Sequence, residues 1–504
     1  MRPVSEALGA LALCVVVPLY AAGQSPAATP AGDDRAVQME QKLKDISAAL
    51  VQTQQQLVKS QQQVLELQNQ MLEVRKQLAA IAPAAASAEG TSSSSLSAAV
   101  AEVREQQEIV QAEVKQHDQI KVESESKYPV RVTGLVLFNA FTNSGTVDNV
   151  DLPSVALSTV AGTSNRSTGA GFRQTILGLE GTGPRLWGAR STADVNIDFY
   201  ASVAYAPYGT SAGTVRMRTA SVNLDWENNF LHLGLVGPLI SPLSPASYAT
   251  VAEPAMAWAG NLWTWVPQLS YEHRIPLSTA RHIGMEFGLM DTPSAGYNPN
   301  ELQRTATPGE LSGQPGYESR ISWAANEQHG AQVGLGGYYS RQSYPANEAA
   351  DAYAVTTDWR LPFAKRFELS GEAYRGRSLG GLGGGVYKDI LIGTYPGSTV
   401  ATYVPLNDVG GWSQWKSKFS QLAETNVTFG QDNGFAGDFH SLVLPSTASA
   451  TQLRARNRML SANLIFRPKT YLIFSPEYRR IWTWGITGPA NTADIFTLTV
   501  GYQF

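Results

Sequence analysis

Residues 496–504 read FTLTVGYQF, and apolar and polar side chains alternate along this stretch. The apolar or aromatic positions are Phe496, Leu498, Val500, Tyr502 and Phe504, and the polar positions between them are Thr497, Thr499 and Gln503. Successive side chains of a β-strand point to opposite faces, so a period of two predicts a strand with one apolar and one polar face. The end of the chain therefore predicts a β-strand that separates two environments.

The same alternation begins at Tyr128 and continues to the end of the chain. Short turns are predicted at 182–185, 227–229, 276–280, 326–329, 362–365, 423–426 and 467–469, and long loops at 142–171, 201–214, 238–264, 291–315, 342–350, 378–410, 431–450 and 485–493. Seven turns and eight loops make fifteen connections, which predicts sixteen antiparallel strands with both barrel ends on the side of the short turns.

A half-buried strand of a soluble protein also alternates, so the period alone leaves that alternative open. Tryptophans near the predicted strand ends favour a membrane barrel, where aromatic girdles mark the two interfaces. They are Trp187, Trp226, Trp263, Trp265, Trp323, Trp359, Trp412, Trp415, Trp482 and Trp484. The sequence thus predicts an all-β transmembrane barrel over residues 128–504, wide enough to leave an aqueous lumen.

The composition fits this class of fold and excludes others. Only 16% of the 504 residues are charged and the formal net charge is −4, which argues against a nucleic-acid partner bound through its phosphates. No apolar run reaches the roughly 18–20 residues that cross a bilayer as a helix. No phosphate-binding motif, metal-ligand spacing or catalytic arrangement stands out, so the sequence predicts no enzyme, metal or other cofactor.

The first 23 residues have the layout of a secretory signal peptide, with Arg2 before an apolar run and small residues at 21–23. Cys14, the single cysteine, lies in this segment, so the mature chain is predicted to contain no disulfide. Residues 24–34, rich in Pro and Ala, are predicted to form a flexible linker.

Residues 35–82 carry a heptad repeat whose a positions are Leu43, Leu50, Leu57, Val64, Met71 and Leu78. A 3.5-residue period held over six heptads predicts an α-helical coiled coil. An amphipathic helix packed on a globular domain is the alternative. Residues 83–95 are predicted to form a second linker, and residues 96–122 are predicted to form a second, shorter helical or coiled-coil segment.

Several short motifs resemble those of a known family. QTILGLEG at 174–181, WVPQLSY at 265–271, GGWSQ at 410–414, GQDN at 430–433 and PEYR at 476–479 resemble the DcaP-like and phosphate-selective-type outer-membrane porins. Some of these porins carry an N-terminal periplasmic coiled coil. The resemblance implies a homotrimer of sixteen-stranded barrels that conduct separately, and passage of small anionic solutes such as dicarboxylates or oxyanions.

The alternation places a set of charged residues on the lumen side as candidate pore-lining groups. They are Arg131, Arg190, Arg320, Arg479, Asp194, Asp198, Glu318, Glu368, Glu372 and Glu477. Rings of Arg favour anions, and Arg rows facing carboxylates create a transverse field. The alternative is that these charges pair with one another along the wall.

Two further features bear on function. Loop 238–264, with Glu253 as its single charge, is predicted to fold inward as a constriction loop, with a surface excursion as the alternative. Phe504 and Tyr502 resemble the signal that the outer-membrane barrel assembly machinery recognises.

The sequence therefore predicts a passive diffusion porin for small hydrophilic, anionic solutes. Its barrel would lie in the lipid of the bacterial outer membrane, with the coiled coil in the periplasm. The alternative is a structural protein in which the coiled coil tethers the outer membrane to the peptidoglycan of the cell wall and the pore is incidental.

Overall fold

The computed structural model describes residues 129–201, 203–204, 212–295, 305–325, 330–446 and 448–504. The predicted signal peptide, both linkers, the coiled coil over 35–82 and the helical segment over 96–122 lie outside the described residues. The turn predicted at 326–329 lies outside them as well.

The described residues form sixteen barrel strands, each joined to its neighbours by antiparallel pairing. They are β1 (Val130–Ser144), β2 (in two pieces, Arg166–Gly171 and Ile176–Leu186), β3 (Ala189–Asp198), β4 (Arg216–Asp225), β5 (Asn229–Val236), β6 (Val266–Ser278), β7 (Arg281–Met290), β8 (Gly316–Ala325), β9 (Gln332–Tyr344), β10 (Glu348–Phe363), β11 (Phe367–Arg377), β12 (Asn407–Lys418), β13 (Ala423–Gly434), β14 (Arg454–Lys469), β15 (Leu472–Gly485) and β16 (Asn491–Gln503).

The sheet closes on itself because β1 pairs with β16 from Leu135↔Gln503 to Ser144↔Asp494. On its other side β1 pairs with both pieces of β2, which together occupy one strand position. The predicted closed barrel of sixteen antiparallel strands is confirmed. Among the described strands, closure leaves the barrel sheet without a free edge.

Smaller elements decorate the long connections. They are the helices α1 (Ala436–His440) and α2 (Ala450–Leu453), the 3-10 turns Glu310–Ser312, Pro345–Asn347 and Gly380–Leu382, and the short strand pairs Thr146–Val147 with Ala156–Leu157, Val203–Ala204 with Ala212–Gly213, and Ile390–Thr394 with Ala401–Pro405. Among the residues described, no helix combines the length and the apolar character needed to cross a membrane.

Connections alternate along the chain, so the barrel has a turn end, which holds the short turns and Phe504, and a loop end. The first turn differs from the prediction at 182–185. The strand continues to Leu186, and Trp187 and Gly188, both at positive φ, form a two-residue hairpin turn. The Gly183–Pro184 pair marks a register shift inside the strand instead, where a residue without an N–H is tolerated.

Three other connections were also predicted wrongly. Residues 467–469 belong to β14, and the turn after it lies at 470–471. Residues 423–426 belong to β13, and the turn before it lies at 419–422. The loop predicted at 342–350 is only the 3-10 turn Pro345–Asn347, because β9 and β10 pair as far as Tyr344↔Glu348. The polar residues around this connection extend the two strands instead of forming a loop.

The two faces of the barrel differ as the alternation predicts. On β16, outward-facing Phe496 and Leu498 are 56% and 49% exposed, whereas inward-facing Thr497 and Thr499 are 6% and 0% exposed. Inward residues are covered because long connections fill much of the loop-end half of the lumen. The prediction of a tryptophan girdle is only partly correct, because Trp412 faces inward and is buried.

Candidate functional site

Residues 237–265, called the inner loop below, join β5 to β6 and lie inside the barrel. Ile240, Met256 and Leu262 are each 1% exposed. One part of the loop packs on the wall of β6 to β11, with Val266, Met290, Tyr338 and Tyr374. Another part packs on β12 and β14 to β16, with Trp412, Met459, Ile481 and Ile495. The inner loop therefore contacts much of the barrel wall.

Three carboxylates of the wall hold the inner loop through hydrogen bonds. Glu318 on β8 accepts from the Leu239 backbone N–H at 2.8 Å. Glu372 on β11 accepts from the Leu243 N–H at 2.7 Å, from Ser241 Oγ and from Trp412 Nε1 at 3.2 Å. Glu477 on β15 accepts from Ser247 Oγ at 2.6 Å. These three sequence-predicted residues lie under the loop and position it.

Amide side chains complete the attachment on strands β1, β2, β12 and β14. Gln174, which precedes the second piece of β2, accepts from the Val251 and Ala252 N–H groups at 2.7 and 3.1 Å. It also donates to the Ala249 carbonyl at 3.0 Å. Asn139, Gln414 and Asn463 bond the loop backbone at Tyr248 and Ala246. A backbone without regular structure is thus satisfied by wall side chains, as buried polar groups require.

Glycines let the inner loop approach the wall closely at β12 and β13. A Cβ on Gly430 would lie 2.3 Å from the Ala259 carbonyl oxygen, and one on Gly260 would lie 2.2 Å from that of Gly411. Gly260 also has a φ of 104°, which other residues rarely adopt. Gly430 of the GQDN motif is therefore explained by the loop that packs on it, whereas a Cβ on Gly411 of the GGWSQ motif would lie 2.6 Å from the Glu372 carbonyl oxygen of the neighbouring strand.

Gly430→Val is expected to push the inner loop off the wall and to lower stability by about 1–3 kcal/mol, the usual cost of overpacking. The measurement is the temperature at which the barrel loses its compact electrophoretic form, together with the rate of proteolysis within the loop. Gly337→Val is the control, because a Cβ there faces outward and comes no closer than 3.7 Å to Ser319 Oγ. Equal behaviour of the two variants would contradict the packing.

An arginine pair borders the inner loop on β4. Arg216 and Arg218 both contact Asp198 on β3, at 2.9 and 3.5 Å. Their guanidinium groups also donate to the backbone carbonyls of Ala252 and Val251. The two arginines thus share one carboxylate on the wall, and the charge of Arg216 also acts on Glu253 of the inner loop.

Strict alternation predicts Asp198 on the inner face but does not predict Arg216 and Arg218 there. The register shifts between Asn196 and Ile197, where Asn196 pairs with Thr219 but Ile197 pairs with Met217. Arg218 is the extra residue of this bulge, so Arg216 and Arg218 face inward, like Thr219 that follows them. The short sequence Arg216-Met217-Arg218 was the only local signal.

An open cavity of about 870 Å³ lies at the loop end beside the arginine pair. Arg173 there forms an ion pair with Asp151 at 2.7 Å and lies 4.3 Å above the Tyr200 ring. Glu253 accepts from Ser154 Oγ at 3.4 Å, and burial, reinforced by the charge of Asp148, raises its pKa. The single charge of the inner loop is thus held within the protein by the first external loop.

Arg320 and Arg479 are inward-facing but paired. Arg320 on β8 contacts Asp358 at 2.8 Å, across β9 on the inner face of β10, and also Glu286 on the adjacent β7. Arg479 is 2% exposed and lies 3.2 Å from Glu477 on its own strand. Of the two sequence interpretations, pairing along the wall describes these arginines.

The remaining candidate pore-lining residues lie toward the turn end of the barrel or on the inner face of β3. Arg131 pairs with Glu180 at 2.7 Å, and Arg190 with Asp225 at 3.2 Å, both in exposed positions. Glu368 pairs with Lys416 at 3.6 Å, and Asp194 accepts from Ser221 and Asn196. All ten candidate residues occupy inner-face positions, and their role in lining an open pore stays a prediction.

The last residue is fixed to the first strand. Phe504 exchanges two backbone hydrogen bonds with Gly134, at 2.9 and 3.0 Å, and its ring covers the place where a Cβ on Gly134 would lie. The ring of Tyr502 lies 6.5 Å away. Their role as an insertion signal stays a prediction. Within the described ranges, no cluster of three or more His, Cys, Asp or Glu could hold a metal ion.

No protein-family model matches the chain, and no curated protein sequence matches it. Among solved structures it is similar to the outer membrane channel DcaP of Acinetobacter baumannii, at 14% identity and a TM-score of 0.57, over 76% of this chain and 99% of that one. The anion-selective porin from Comamonas acidovorans is 10% identical, with a TM-score of 0.42, over 75% of this chain and 100% of that one. OprB of Pseudomonas putida is 10% identical, with a TM-score of 0.43, over 74% and 94%. At these identities the likeness to DcaP shows a shared barrel fold.

Proposed function

We propose that this protein is a passive diffusion channel of the bacterial outer membrane for small hydrophilic solutes. The observation that carries the proposal is the closed sixteen-stranded barrel with a connection folded into its interior. A barrel of this size holds more space than its own wall side chains fill. A loop fixed inside that space would reduce the open cross-section, which suits a size-limited channel and calls for no catalytic group.

We further propose a preference for small anions such as dicarboxylates. The arginine pair, Arg216 and Arg218, lies where the inner loop meets the wall, with Asp198 as its carboxylate partner. The ion pairs of Arg131, Arg190, Arg320 and Arg479 reduce the influence of the other candidate arginines. Arginine side chains beside a constriction attract anions and repel cations.

The placement and assembly follow from the same proposal. The outward apolar side chains would contact lipid, the turn end would face the periplasm, and the loop end would lie at the outer leaflet. The predicted coiled coil precedes β1 and would therefore lie in the periplasm. Homotrimerisation is proposed from the family resemblance.

Full-length protein inserted into planar lipid bilayers is expected to give discrete conductance steps. With a KCl gradient across the bilayer, the reversal potential should have the sign that indicates anion preference. Heat-modifiable electrophoretic mobility serves as the control for a folded barrel. Folded, inserted protein that does not conduct would reject the channel and leave the tether as the remaining function.

A further inference from the structure

The outer face of the barrel carries arginines near the loop end of β13 to β16. Arg456 and Arg458 on β14 and Arg480 on β15 occupy outward positions, because the residues between them, such as Asn457 and Arg479, are buried on the inner face. Together with Gln431 and Asn433 of β13, these three arginines are called the arginine patch below. An outward polar cluster is unusual on a barrel whose outer face is otherwise apolar.

The patch is a connected arrangement across neighbouring strands. Arg456 pairs in register with Asn433, and Arg458 with Gln431. Arg456 Nε donates to Asn433 Oδ1 at 2.5 Å, and Arg458 donates from Nε and Nη2 to Gln431 Oε1 at 3.0 and 2.7 Å. Both guanidinium groups lie over the Trp484 ring, at 5.5 and 5.2 Å. These neutral partners orient the arginines without cancelling their charge.

The charge of the patch is only partly compensated. Arg480 pairs with Asp494 of β16 at 3.2 Å, whereas within the described residues Arg456 and Arg458 have no carboxylate at ion-pair distance. Three guanidinium groups against one carboxylate give a net charge of +2. Asp494 Oδ1 also accepts a hydrogen bond from Tyr478 at 2.6 Å, so Arg480 shares this oxygen with the tyrosine hydroxyl.

The other outward charged residues at the loop end of the barrel are mostly arginines, so the charge there is also positive. Arg166, Arg341, Arg375 and Arg377 occupy outward positions on other strands. Among the described strand residues of this half, Asp351 and Asp494 are the outward carboxylates, and each already pairs with an arginine. A second copy of the chain would therefore offer the patch no free strand carboxylate at this height.

The position of the patch along the barrel axis follows from its outward neighbours. Phe429 and Leu460 are the next outward residues toward the turn end on β13 and β14, and Phe496 follows Asp494 on β16. The patch therefore borders the apolar belt and contacts Trp484, a residue type that prefers the membrane interface. Arg456 and Arg458 are two residues apart on one strand, roughly 7 Å between their Cα atoms, so their long side chains can reach the same phosphate group.

We propose that the arginine patch binds the phosphate groups of a lipid headgroup in the outer leaflet, with the acyl chains on the apolar belt below. Guanidinium groups bind phosphate oxygens through two parallel hydrogen bonds, and they are less strongly hydrated than ammonium groups. The inference rests on the proposed orientation of the barrel, in which the loop end lies at the outer leaflet. It does not depend on conduction through the lumen.

The test measures lipid binding to the full-length protein by native mass spectrometry. The probes are diphosphorylated lipid A and the same lipid after removal of its phosphates. The wild type should bind the phosphorylated lipid more tightly, and Arg456→Gln with Arg458→Gln should weaken that binding by about tenfold or more, as expected for lost charge-assisted hydrogen bonds. An excess of inorganic phosphate should not displace the lipid, because the apolar belt holds its acyl chains.

A matched comparison uses one outward arginine at a time. Arg458→Gln should weaken binding several-fold, whereas Arg341→Gln, which removes an arginine already paired with Asp351 at 3.5 Å, should leave it nearly unchanged. Equal binding of both lipids, equal loss in both variants or displacement by inorganic phosphate would each overturn the proposal.

Two controls distinguish a lipid site from a contact between copies and from a role in conduction. Loss of oligomers in Arg458→Gln with unchanged lipid binding would assign the patch to contact between copies and overturn the lipid proposal. The patch variants should conduct like the wild type, since their side chains face away from the lumen. A wild type that binds phosphorylated lipid through the patch but does not conduct would reject the proposed channel and leave the lipid site standing.

Discussion

Replacing residues 242–261 with a short Gly-Ser linker is expected to raise the single-channel conductance by about twofold or more, since conductance follows the open cross-section. The removed segment packs inside the barrel against wall residues such as Trp412 and Ile481. Ile240 and Leu262, which flank it, belong to one apolar cluster on the wall of β6 to β11. The barrel itself should persist, because its hydrogen bonds run between adjacent strands and do not involve the loop.

A double substitution tests the same role of the inner loop by removing only the hydrogen bonds that attach the loop to the wall. Glu372→Ala with Glu477→Ala deletes the acceptors of Ser241, Leu243 and Ser247. Each buried donor left without a partner costs about 1–3 kcal/mol, so the loop should detach intermittently and the current should become noisy. Glu180→Ala is the control, since Glu180 pairs with Arg131 in an exposed position. Unchanged conductance and noise in a folded loop-deletion barrel would mean that the inner loop does not limit the path.

Arg216→Gln with Arg218→Gln is expected to shift the channel from anion preference toward cation preference. The pair is 26% and 15% exposed beside Asp198, so its removal leaves a carboxylate uncompensated next to the inner loop. Sites lined by one sign of charge raise the local concentration of the opposite ion by about tenfold or more, so the permeability ratio should change several-fold. Glutamine retains hydrogen-bond donors for the loop carbonyls.

The measurement is the reversal potential in a KCl gradient, first at low salt and then at high salt. The shift should shrink at high salt, because the Debye length falls from about 10 Å at 0.1 M to about 3 Å at 1 M. Arg131→Gln with Arg190→Gln is the control, since it removes the same charge from exposed ion pairs with Glu180 and Asp225. An equal shift in both double variants would show that selectivity is set by overall charge and not by the arginine pair.

The sequence by itself was enough for the number of strands and for the two faces of most of them. The alternation in residues such as Phe496 and Thr497 is a local property, because neighbouring side chains of a strand must point to opposite sides. A barrel uses that property along its whole length, so the pattern predicts both the fold class and the inward face of residues such as Glu372. Local turn chemistry was less informative, since the two-residue turn at Trp187 and Gly188 places a bulky residue where glycine is common.

Only the tertiary structure decided what each inward residue meets. Glu372 and Glu477 have the sequence signature of lumen charges, yet both lie beneath the inner loop, because a long connection fills space that no local pattern describes. Arg131 meets Glu180 across a register set by strand pairing over a separation of 49 residues. Arg216 and Arg218 reach the inner face through a one-residue bulge that breaks the alternation. Periodicity fixes the direction of a side chain, whereas strand register, bulges and the path of a loop determine its partners.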